Sequence, residues 1–160
     1  MFSNIYNLFS ISWNDTFIID SGTDTVTDLI TGDSFVVESG AVLLASNILN
    51  FVASDTTQNS GTTNLTGHSS GAIITMTDSL KGAYNIFGSY GDDVFTGGKY
   101  DDIISAGVGN DVIEGGFGND TLDGGFGKDV IDGGPGNDKL SGGADNDLFY
   151  ISEGADSIVD

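Results

Sequence analysis

The sequence predicts an all-β fold in which short parallel strands are wound into two stacked sheets. Three observations lead to this prediction. The chain has 25 glycines among its 160 residues, its second half repeats with a period of nine residues, and each repeat ends in a short β-prone segment. A fixed short period is typical of a solenoid, in which each repeat adds one layer to a continuous core.

Seven consecutive frames of nine residues cover residues 88–150 without an insertion. Frames one to seven read GSYGDDVFT, GGKYDDIIS, AGVGNDVIE, GGFGNDTLD, GGFGKDVID, GGPGNDKLS and GGADNDLFY. The sixth position is always aspartate: Asp93, Asp102, Asp111, Asp120, Asp129, Asp138 and Asp147. The eighth position is always a large apolar residue: Phe95, Ile104, Ile113, Leu122, Ile131, Leu140 and Phe149.

Each frame combines a loop with a strand. The glycine-rich first half can adopt positive φ and turn tightly, whereas the last three residues are β-prone, with the eighth side chain directed inward. Two frames therefore form one turn of the coil, and successive turns stack at the ~4.8 Å spacing of paired strands. The aspartates then form two edge stacks: Asp93, Asp111, Asp129 and Asp147 on the first edge, and Asp102, Asp120 and Asp138 on the second.

These stacks predict calcium sites. Carboxylates ~5 Å apart repel one another, and a divalent cation between them reverses that effect. Carboxylate oxygens and carbonyls from glycine turns form the all-oxygen shell that Ca²⁺ prefers, whereas Mg²⁺ demands a tighter octahedron. The candidate ligands are the seven aspartates and the loop glycines: Gly91, Gly97, Gly107, Gly109, Gly115, Gly116, Gly118, Gly124, Gly125, Gly127, Gly133, Gly134, Gly136 and Gly142.

The frames resemble the G-G-x-G-x-D-x-U-x repeat of the RTX (repeats-in-toxin, haemolysin-type) calcium-binding family. Frames four to six, at residues 115–141, match every defined position. The resemblance implies a right-handed parallel β-roll, calcium between stacked loops, and export in an unfolded state by a type I secretion system. Proteases, lipases, adhesins, epimerases and toxins all carry this repeat, so the biological role stays open.

Several positions depart from the repeat. Tyr100 and Asp145 replace the fourth glycine, where a carbonyl ligand would need a strained turn. Ser89 and Ala106 replace earlier glycines, and Lys128 places a cation beside Asp129. We expect about five ions, three on the first edge (93/111, 111/129, 129/147) and two on the second (102/120, 120/138), with the weakest site beside Tyr100.

Residues 1–87 are predicted to form a degenerate, irregular β-rich cap, residues 88–150 the calcium-binding roll, and residues 151–160 a terminal strand. Asp15, Asp24 and Asp33 each precede an apolar residue by two positions, at intervals of nine. Asp15 and Asp33 could share one ion, although solvated turn aspartates are the simpler interpretation.

A longer internal similarity aligns residues 14–28 with residues 146–160, at an offset of 132. Seven of the fifteen aligned positions are identical. The chain therefore resembles one unit of about 132 residues and the start of the next. Because 132 is not a multiple of nine, we expect an interruption of the coil between about residues 46 and 80.

That interrupting segment has mixed signals. The spacing of Leu44, Ile48 and Val52 permits a short helix or a pair of strands. Residues 54–72 are rich in Ser, Thr, Asn and Gly, which is typical of turns. Residues 73–77 and 83–87 are predicted strands that would cover the open end of the roll.

One face of the predicted roll is apolar. The seventh positions on one sheet are Val94, Val112, Val130 and Leu148, whereas those on the other are Ile103, Thr121 and Lys139. We call the first set the apolar stripe. An apolar stripe of this kind is usually covered, and we expect an N-terminal segment or a neighbouring chain to pack on it.

Composition and motifs exclude several functions. The formal charge of −20, with four lysines and no arginine, is incompatible with binding to nucleic acid or to acidic membranes. The absence of cysteine excludes disulfides and thiolate sites. Residues 1–9 lack the basic region of a cleaved signal peptide, and no apolar run is long enough to span a membrane.

Catalysis is not expected. Residues 67–71 satisfy G-x-S-x-G, but a nucleophile elbow needs a strand before it and a helix after it, whereas a polar segment precedes this motif. His68 is the only histidine, so a downstream triad histidine is missing. Paired threonines at residues 23–27 and 75–77 are too few for an ice-binding array.

The sequence thus predicts a secreted, non-enzymatic calcium-binding protein of the structural or adhesin type, at the cell surface or outside the cell. It would fold when it meets extracellular calcium, in the ~10⁻⁴–10⁻³ M range of extracellular modules. Its partners would be calcium and neighbouring repeat units or a surface partner. The alternatives are an accessory module of a larger secreted enzyme or toxin and a polysaccharide-binding domain.

Overall fold

The computed structural model describes residues 7–9, 16–19, 23–27, 29–30, 33–37, 42–48, 50–52, 58–59, 62–76 and 82–159. All regular structure in these ranges is β-strand. The strands are β1 (Asn7–Phe9), β2 (Thr16–Ile19), β3 (Thr23–Thr27), β4 (Ser34–Val37), β5 (Val42–Ile48), β6 (Asn50–Val52), β7 (Gln58–Asn59), β8 (Thr62–Gly67), β9 (Ile73–Thr75), β10 (Asn85–Phe87), β11 (Val94–Thr96), β12 (Ile103–Val108), β13 (Val112–Glu114), β14 (Thr121–Phe126), β15 (Val130–Asp132), β16 (Lys139–Ala144), β17 (Leu148–Tyr150) and β18 (Ser157–Val159).

The strands form three parallel sheets. The largest has nine strands in the order β1-β3-β5-β8-β10-β12-β14-β16-β18, and the second has six in the order β17-β15-β13-β11-β9-β6. A third sheet has the order β2-β4-β7. Because consecutive strands alternate between sheets, the chain forms a β-solenoid, and the predicted all-β parallel fold is confirmed.

The repeat region has the predicted register. From β10 onward, each strand pairs with the strand two frames later, as Val94 does with Val112 and Ile103 with Thr121. The eighth-position side chains of frames one to six are buried between the sheets, and Phe149 of frame seven packs partly buried against the same core. Two frames per turn are therefore observed.

The N-terminal half differs from the expected irregular cap. Strands β1, β3, β5 and β8 belong to the same nine-stranded sheet as the repeats. Their inward residues, among them Val26, Leu43 and Leu65, are fully buried. The same alternation of inward and outward residues continues from the first half of the chain into the second, so the core is continuous.

The segment from 46 to 80 lengthens the turns without ending the coil. The strand alternative is confirmed for residues 42–52, although β5 and β6 lie in different sheets and do not pair. The prediction of turns was wrong for residues 62–67, which form β8, because Thr63 and Leu65 alternate inward and are buried. Strands β9 and β10 each pair on both sides and so lie inside the sheets.

The offset of 132 follows from three longer turns. In the nine-stranded sheet, Thr25 pairs with Leu44, Leu44 with Asn64, and Asn64 with Asn85. These steps exceed the two-frame turn of the repeats by one, two and three residues. From Asn85 to Ser157 every step equals two frames. Strand β3 therefore aligns with β18 both in the sequence and within the nine-stranded sheet, whereas β2 and β17, which align in the sequence, lie in different sheets.

The apolar stripe lies on the outer face of the six-stranded sheet, and Ile73 extends it by one strand. Val94, Val112 and Leu148 are 39%, 43% and 50% exposed. That a partner covers this stripe stays a prediction.

Among the described residues, none forms a helix with the length and hydropathy of a membrane span.

Candidate metal centre

The sixth-position aspartates lie in two edge stacks, as predicted, and hydrogen bonds join each stack. On the first edge, the backbone N–H of Asp93 donates to Oδ1 of Asp111 at 2.7 Å. The N–H of Asp111 donates to Asp129, and that of Asp129 to Asp147, at 2.8 and 2.9 Å. Each carboxylate thus uses one oxygen to hold the loop of the preceding turn.

The second edge repeats this pattern. The N–H of Asp102 donates to Oδ1 of Asp120 at 2.7 Å, and the N–H of Asp120 donates to Oδ1 of Asp138 at 2.8 Å. The side chains of these three residues are at most 2% exposed. Six of the seven predicted aspartates are buried in this way, and Asp147 is partly buried at the end of the first stack.

Five of the carboxylates keep one oxygen without a hydrogen bond. These buried oxygens are Oδ2 of Asp111, Asp120, Asp129, Asp138 and Asp147. Burying a carboxylate oxygen without a partner is costly, because an uncompensated negative charge loses its hydration. Five such atoms in one regular array require a compensating positive charge, and the four lysines of the chain are too few to supply one to each.

Burial raises the pKa of Asp111, Asp120, Asp129 and Asp138. Desolvation is the main cause at each of these four, and it raises the pKa of Asp111 to about 6 and that of Asp120 to about 7. The carboxylates of neighbouring turns raise it further, whereas backbone N–H donors lower it. The pKa values of Asp129 and Asp138 are also raised by desolvation. A raised pKa means that ionising the buried carboxyl group costs free energy, and a bound cation would offset that cost.

The first-position glycines let the unpartnered oxygens approach the backbone closely. A Cβ on Gly115 would lie 2.5 Å from Oδ2 of Asp120 and 2.6 Å from the carbonyl oxygen of Gly133. A Cβ on Gly124 would lie 2.3 Å from Oδ2 of Asp129. The carboxylate oxygen and a carbonyl of the next turn therefore face the same side of each glycine, which gives the all-oxygen donor set that Ca²⁺ prefers.

The second-position glycines of frames three to seven adopt left-handed backbone conformations. Gly107, Gly116, Gly125, Gly134 and Gly143 have φ between 83° and 111°. Glycine tolerates this region without steric cost. These are the same five frames in which Oδ2 of the aspartate has no hydrogen-bond partner.

Frames one and two are built differently. Ser89 and Gly98, at the second position, are not in the positive-φ region. Their backbone N–H groups instead donate to Oδ2 of the aspartate in the same frame, at 3.4 Å to Asp93 and 2.7 Å to Asp102. Both oxygens of these two aspartates are therefore occupied, because Ala72 and Tyr84 donate to the Oδ1 atoms.

The departures from the repeat have distinct structural outcomes. Asp145 is the one non-glycine residue with positive φ among the described residues, at 86°, so it takes the strained turn expected at this position. Tyr100 does not adopt positive φ, so the loop of frame two follows a different path. Lys128 is exposed, and its backbone N–H donates to Asn110. Ala106 is fully buried at the position of the first glycine.

The fourth-position glycines mostly share one conformation. Gly91, Gly109, Gly118 and Gly127 have φ between 99° and 156°. A side chain at any of them would meet the backbone of the preceding turn. These four predicted loop glycines thus lie where turns pack closely, and that their carbonyls bind calcium stays a prediction.

The structure adds an eighth frame that sequence reasoning missed. Residues 151–159 were expected only to be a terminal strand, yet the N–H of Asp138 donates to Oδ1 of Asp156 at 3.0 Å. Strand β18 continues the nine-stranded sheet. The signal was present in Gly154, Asp156 and Ile158, which occupy the fourth, sixth and eighth positions, but the other glycines of the motif are absent.

The N-terminal aspartates and the G-x-S-x-G segment were the weaker candidates from the sequence. Asp33 is buried and its Oδ2 accepts a hydrogen bond from the N–H of Ile30 at 3.0 Å, while Asp15 lies outside the described residues. Asp24 belongs to β3.

The G-x-S-x-G segment forms an exposed turn between β8 and β9, where Ser70 Oγ lies 2.7 Å from His68 Nδ1. A strand precedes this motif, contrary to expectation, but another strand follows it.

Within the described part of the chain, no three His, Cys, Asp or Glu side chains cluster to hold a metal by themselves. Backbone carbonyls would therefore supply much of any coordination shell. A comparison with protein families matches residues 87–122 and 123–158 to the RTX calcium-binding nonapeptide repeat (4 copies). This segment belongs to the RTX calcium-binding repeat family. The match begins at the predicted first frame and includes the eighth.

The RTX assignment agrees with the geometry of the two edge stacks. RTX repeats bind Ca²⁺, so the family match implies calcium as the metal for these loops. RTX proteins are typically secreted by type I systems. Searches of curated proteins and of solved structures found no match to this chain.

Proposed function

We propose that the protein is a secreted calcium-binding β-roll whose repeat region folds around about five calcium ions. The observation that carries this proposal is the set of five buried Oδ2 atoms without hydrogen-bond partners, on Asp111, Asp120, Asp129, Asp138 and Asp147. The sequence-based expectation was also five ions, distributed three and two over the same two edges.

The donor set and the charge both fit calcium. Four of the five unpartnered carboxylate oxygens lie against a first-position glycine, namely Gly115, Gly124, Gly133 and Gly142. At Gly115 and Gly124 the carbonyl of the next turn faces the same point. Residues 88–160 contain 16 acidic residues and 3 lysines, a formal charge of −13. Five divalent ions would supply +10 to this region, which would remove most of the repulsion that opposes folding.

Calcium binding would then be coupled to folding of the repeats. When bound, calcium supplies the positive charge that the buried carboxylates lack. In a low-calcium cytosol, repulsion between stacked aspartates and the entropy of the glycine-rich loops favour the unfolded state of the calcium-binding repeats. In extracellular calcium, the binding free energy becomes folding free energy. This order suits export of a chain whose calcium-binding repeats are unfolded, followed by their folding outside the cell.

The biological role that we propose is structural, of the adhesin type and without catalysis. The alternative is an accessory module of a larger secreted enzyme or toxin. The described residues around Ser70 form a turn between two strands, which does not favour a nucleophile elbow in this chain. A gene that places a catalytic domain on the same polypeptide would favour the alternative.

Counting bound ions by equilibrium dialysis tests the calcium sites. We expect the wild type to bind about five Ca²⁺ and Asp120→Asn to bind fewer, because the amide removes an anionic ligand. Asp101→Asn is the matched control. It removes one charge from the neighbouring exposed position, yet keeps the Oδ1 acceptor for the N–H of Asn119. Equal loss of ions in both variants, or no calcium binding by the wild type, would contradict the proposal.

A further inference from the structure

The calcium-dependent part of the solenoid begins at a defined point, between Asp102 and Asp111. We propose that the N-terminal half, up to the end of frame two, folds without calcium and provides the edge on which the calcium-binding frames assemble. We call these two parts the template (described residues up to Ser105) and the ladder (residues 106–159). This inference deepens the proposed function and depends on it.

The aspartates of the template are satisfied by the protein itself. Oδ2 of Asp93 accepts the N–H of Ser89, and Oδ2 of Asp102 accepts the N–H of Gly98. In the earlier half, Oδ2 of Asp33 accepts the N–H of Ile30. An N–H directed at a carboxylate oxygen stabilises its charge and occupies the direction from which a cation would approach. Backbone donors therefore hold both oxygens of Asp93 and Asp102 in the absence of an ion. Desolvation still raises the pKa of Asp93, and it raises that of Asp102 to about 6.

The ladder shows the opposite arrangement. In frames three to seven, the second-position glycine is left-handed and Oδ2 of the aspartate is unpartnered. The change in backbone conformation and the loss of the hydrogen bond occur at the same frame boundary. The sequence-based expectation assigned Asp93 and Asp102 to ions, whereas the structure gives them the role of backbone hydrogen-bond acceptors.

The composition of the continuous apolar core also changes at this boundary. The template buries five aromatic side chains: Phe17, Phe35, Phe51, Tyr84 and Phe95. Phe35 stacks on Phe51 at 6.1 Å and meets the edge of Tyr84 at 6.4 Å. The fully buried apolar residues of the ladder are aliphatic, chiefly one per frame. Phe149 packs partly buried against the core, and Phe117 and Phe126 are exposed. Aromatic side chains dominate core energetics, so the template has the larger hydrophobic stabilisation.

The template presents a prepared edge to the ladder. The N–H groups of Asp93 and Asp102 donate to Oδ1 of Asp111 and Asp120, which are the first aspartates of the ladder. Strands β11 and β12 offer backbone partners to β13 and β14. In a solenoid, adding a layer to an existing edge avoids the cost of nucleating a new one. Calcium would therefore extend a folded structure.

Amide hydrogen exchange of the full 160-residue chain tests the inference, in excess EGTA and in saturating CaCl₂. In EGTA we expect protected amides in β5, β8, β10 and β11 and unprotected amides in β13 to β18. In CaCl₂ both sets should be protected. If the template is unprotected in EGTA and both halves become protected with calcium, the inference fails while the proposed function stands.

Other outcomes are equally decisive. A ladder that is protected in EGTA would overturn both the boundary and the coupling of folding to calcium. A chain that gains no protection with calcium would overturn the proposed function. As an independent readout, Asp102→Asn should bind as many Ca²⁺ as the wild type, whereas Asp120→Asn should bind fewer. Equal loss of ions in these two variants would overturn the assignment of Asp102 to the template.

Discussion

At the scale of single residues, the close approach of a carboxylate oxygen to a first-position glycine depends on the absence of a side chain. A methyl group at Gly115 would lie 2.5 Å from Oδ2 of Asp120 and 2.6 Å from the carbonyl oxygen of Gly133. We expect Gly115→Ala to raise the calcium midpoint of folding by at least ~10-fold, as displaced ligands do. The reciprocal change, Ala106→Gly, should lower the midpoint, because it restores the motif glycine at the first position of the frame that contains Asp111. Calcium titrations followed by circular dichroism measure both, and identical midpoints in the three proteins would contradict this account.

The raised pKa values predict that protons partly replace calcium. In the folded, metal-free ladder the pKa of Asp111 is about 6 and that of Asp120 about 7, against ~3.9 in an unfolded chain. The folded state therefore binds more protons, so this stabilisation is fully present below ~4 and is lost as the pH rises through ~6–7. In EGTA, the strand signal of the ladder should increase as the pH is lowered from neutral. A signal that decreases on acidification would contradict the prediction. In calcium the sign is reversed, because protons compete for the ligand oxygens.

At the scale of elements, the loop of frame seven contains one residue with a strained backbone, and a substitution can relieve that strain. Asp145 adopts a φ of 86° where the motif has glycine. Asp145→Gly should stabilise the calcium-bound protein by about 1 kcal/mol, since a side chain in this region is sterically disfavoured. Tyr100→Gly is the matched control at the same position of frame two, where φ is not positive, and it should give no such gain. Thermal unfolding in saturating calcium distinguishes the two, and equal shifts would show that the φ of Asp145 is not the cause.

The elements also show how far the sequence predicts this fold. The constant period of nine specified the strands, their register and the edge stacks of residues 88–150, because every turn there consists of two frames. In the N-terminal half the turns of the nine-stranded sheet lengthen by one, two and three residues. A solenoid with a changing period has no constant repeat in its sequence, and residues 62–67 were therefore mistaken for a turn.

For the metal centre, the sequence predicted the aspartates but not their hydrogen bonds. In frame one, the backbone N–H that donates to the aspartate belongs to Ser89, which departs from the motif. In frame two it belongs to Gly98, which matches the motif. Whether a backbone N–H points at a carboxylate depends on the φ of one residue, and glycine permits both conformations. The boundary between template and ladder could thus be found only in the structure.

At the scale of the whole molecule, the charge of −20 is divided between two different parts. In the template, buried carboxylates accept backbone N–H groups, and a core that includes five aromatic side chains supplies hydrophobic stabilisation. In the ladder, the frames bury five unpartnered carboxylate oxygens beside a mainly aliphatic core that includes the partly buried Phe149. The first part resembles an ordinary apolar solenoid, whereas we propose that the second requires a cation for stability.

The central claim is that calcium supplies the charge that the ladder lacks. A circular dichroism titration of the full chain with CaCl₂, with MgCl₂ as the control, tests it most directly. We predict a partial β signal in EGTA, from the template alone, and a cooperative increase with Ca²⁺ that Mg²⁺ does not reproduce at the same concentration. A β signal that is already complete in EGTA, or an equal increase with Mg²⁺, would contradict the account.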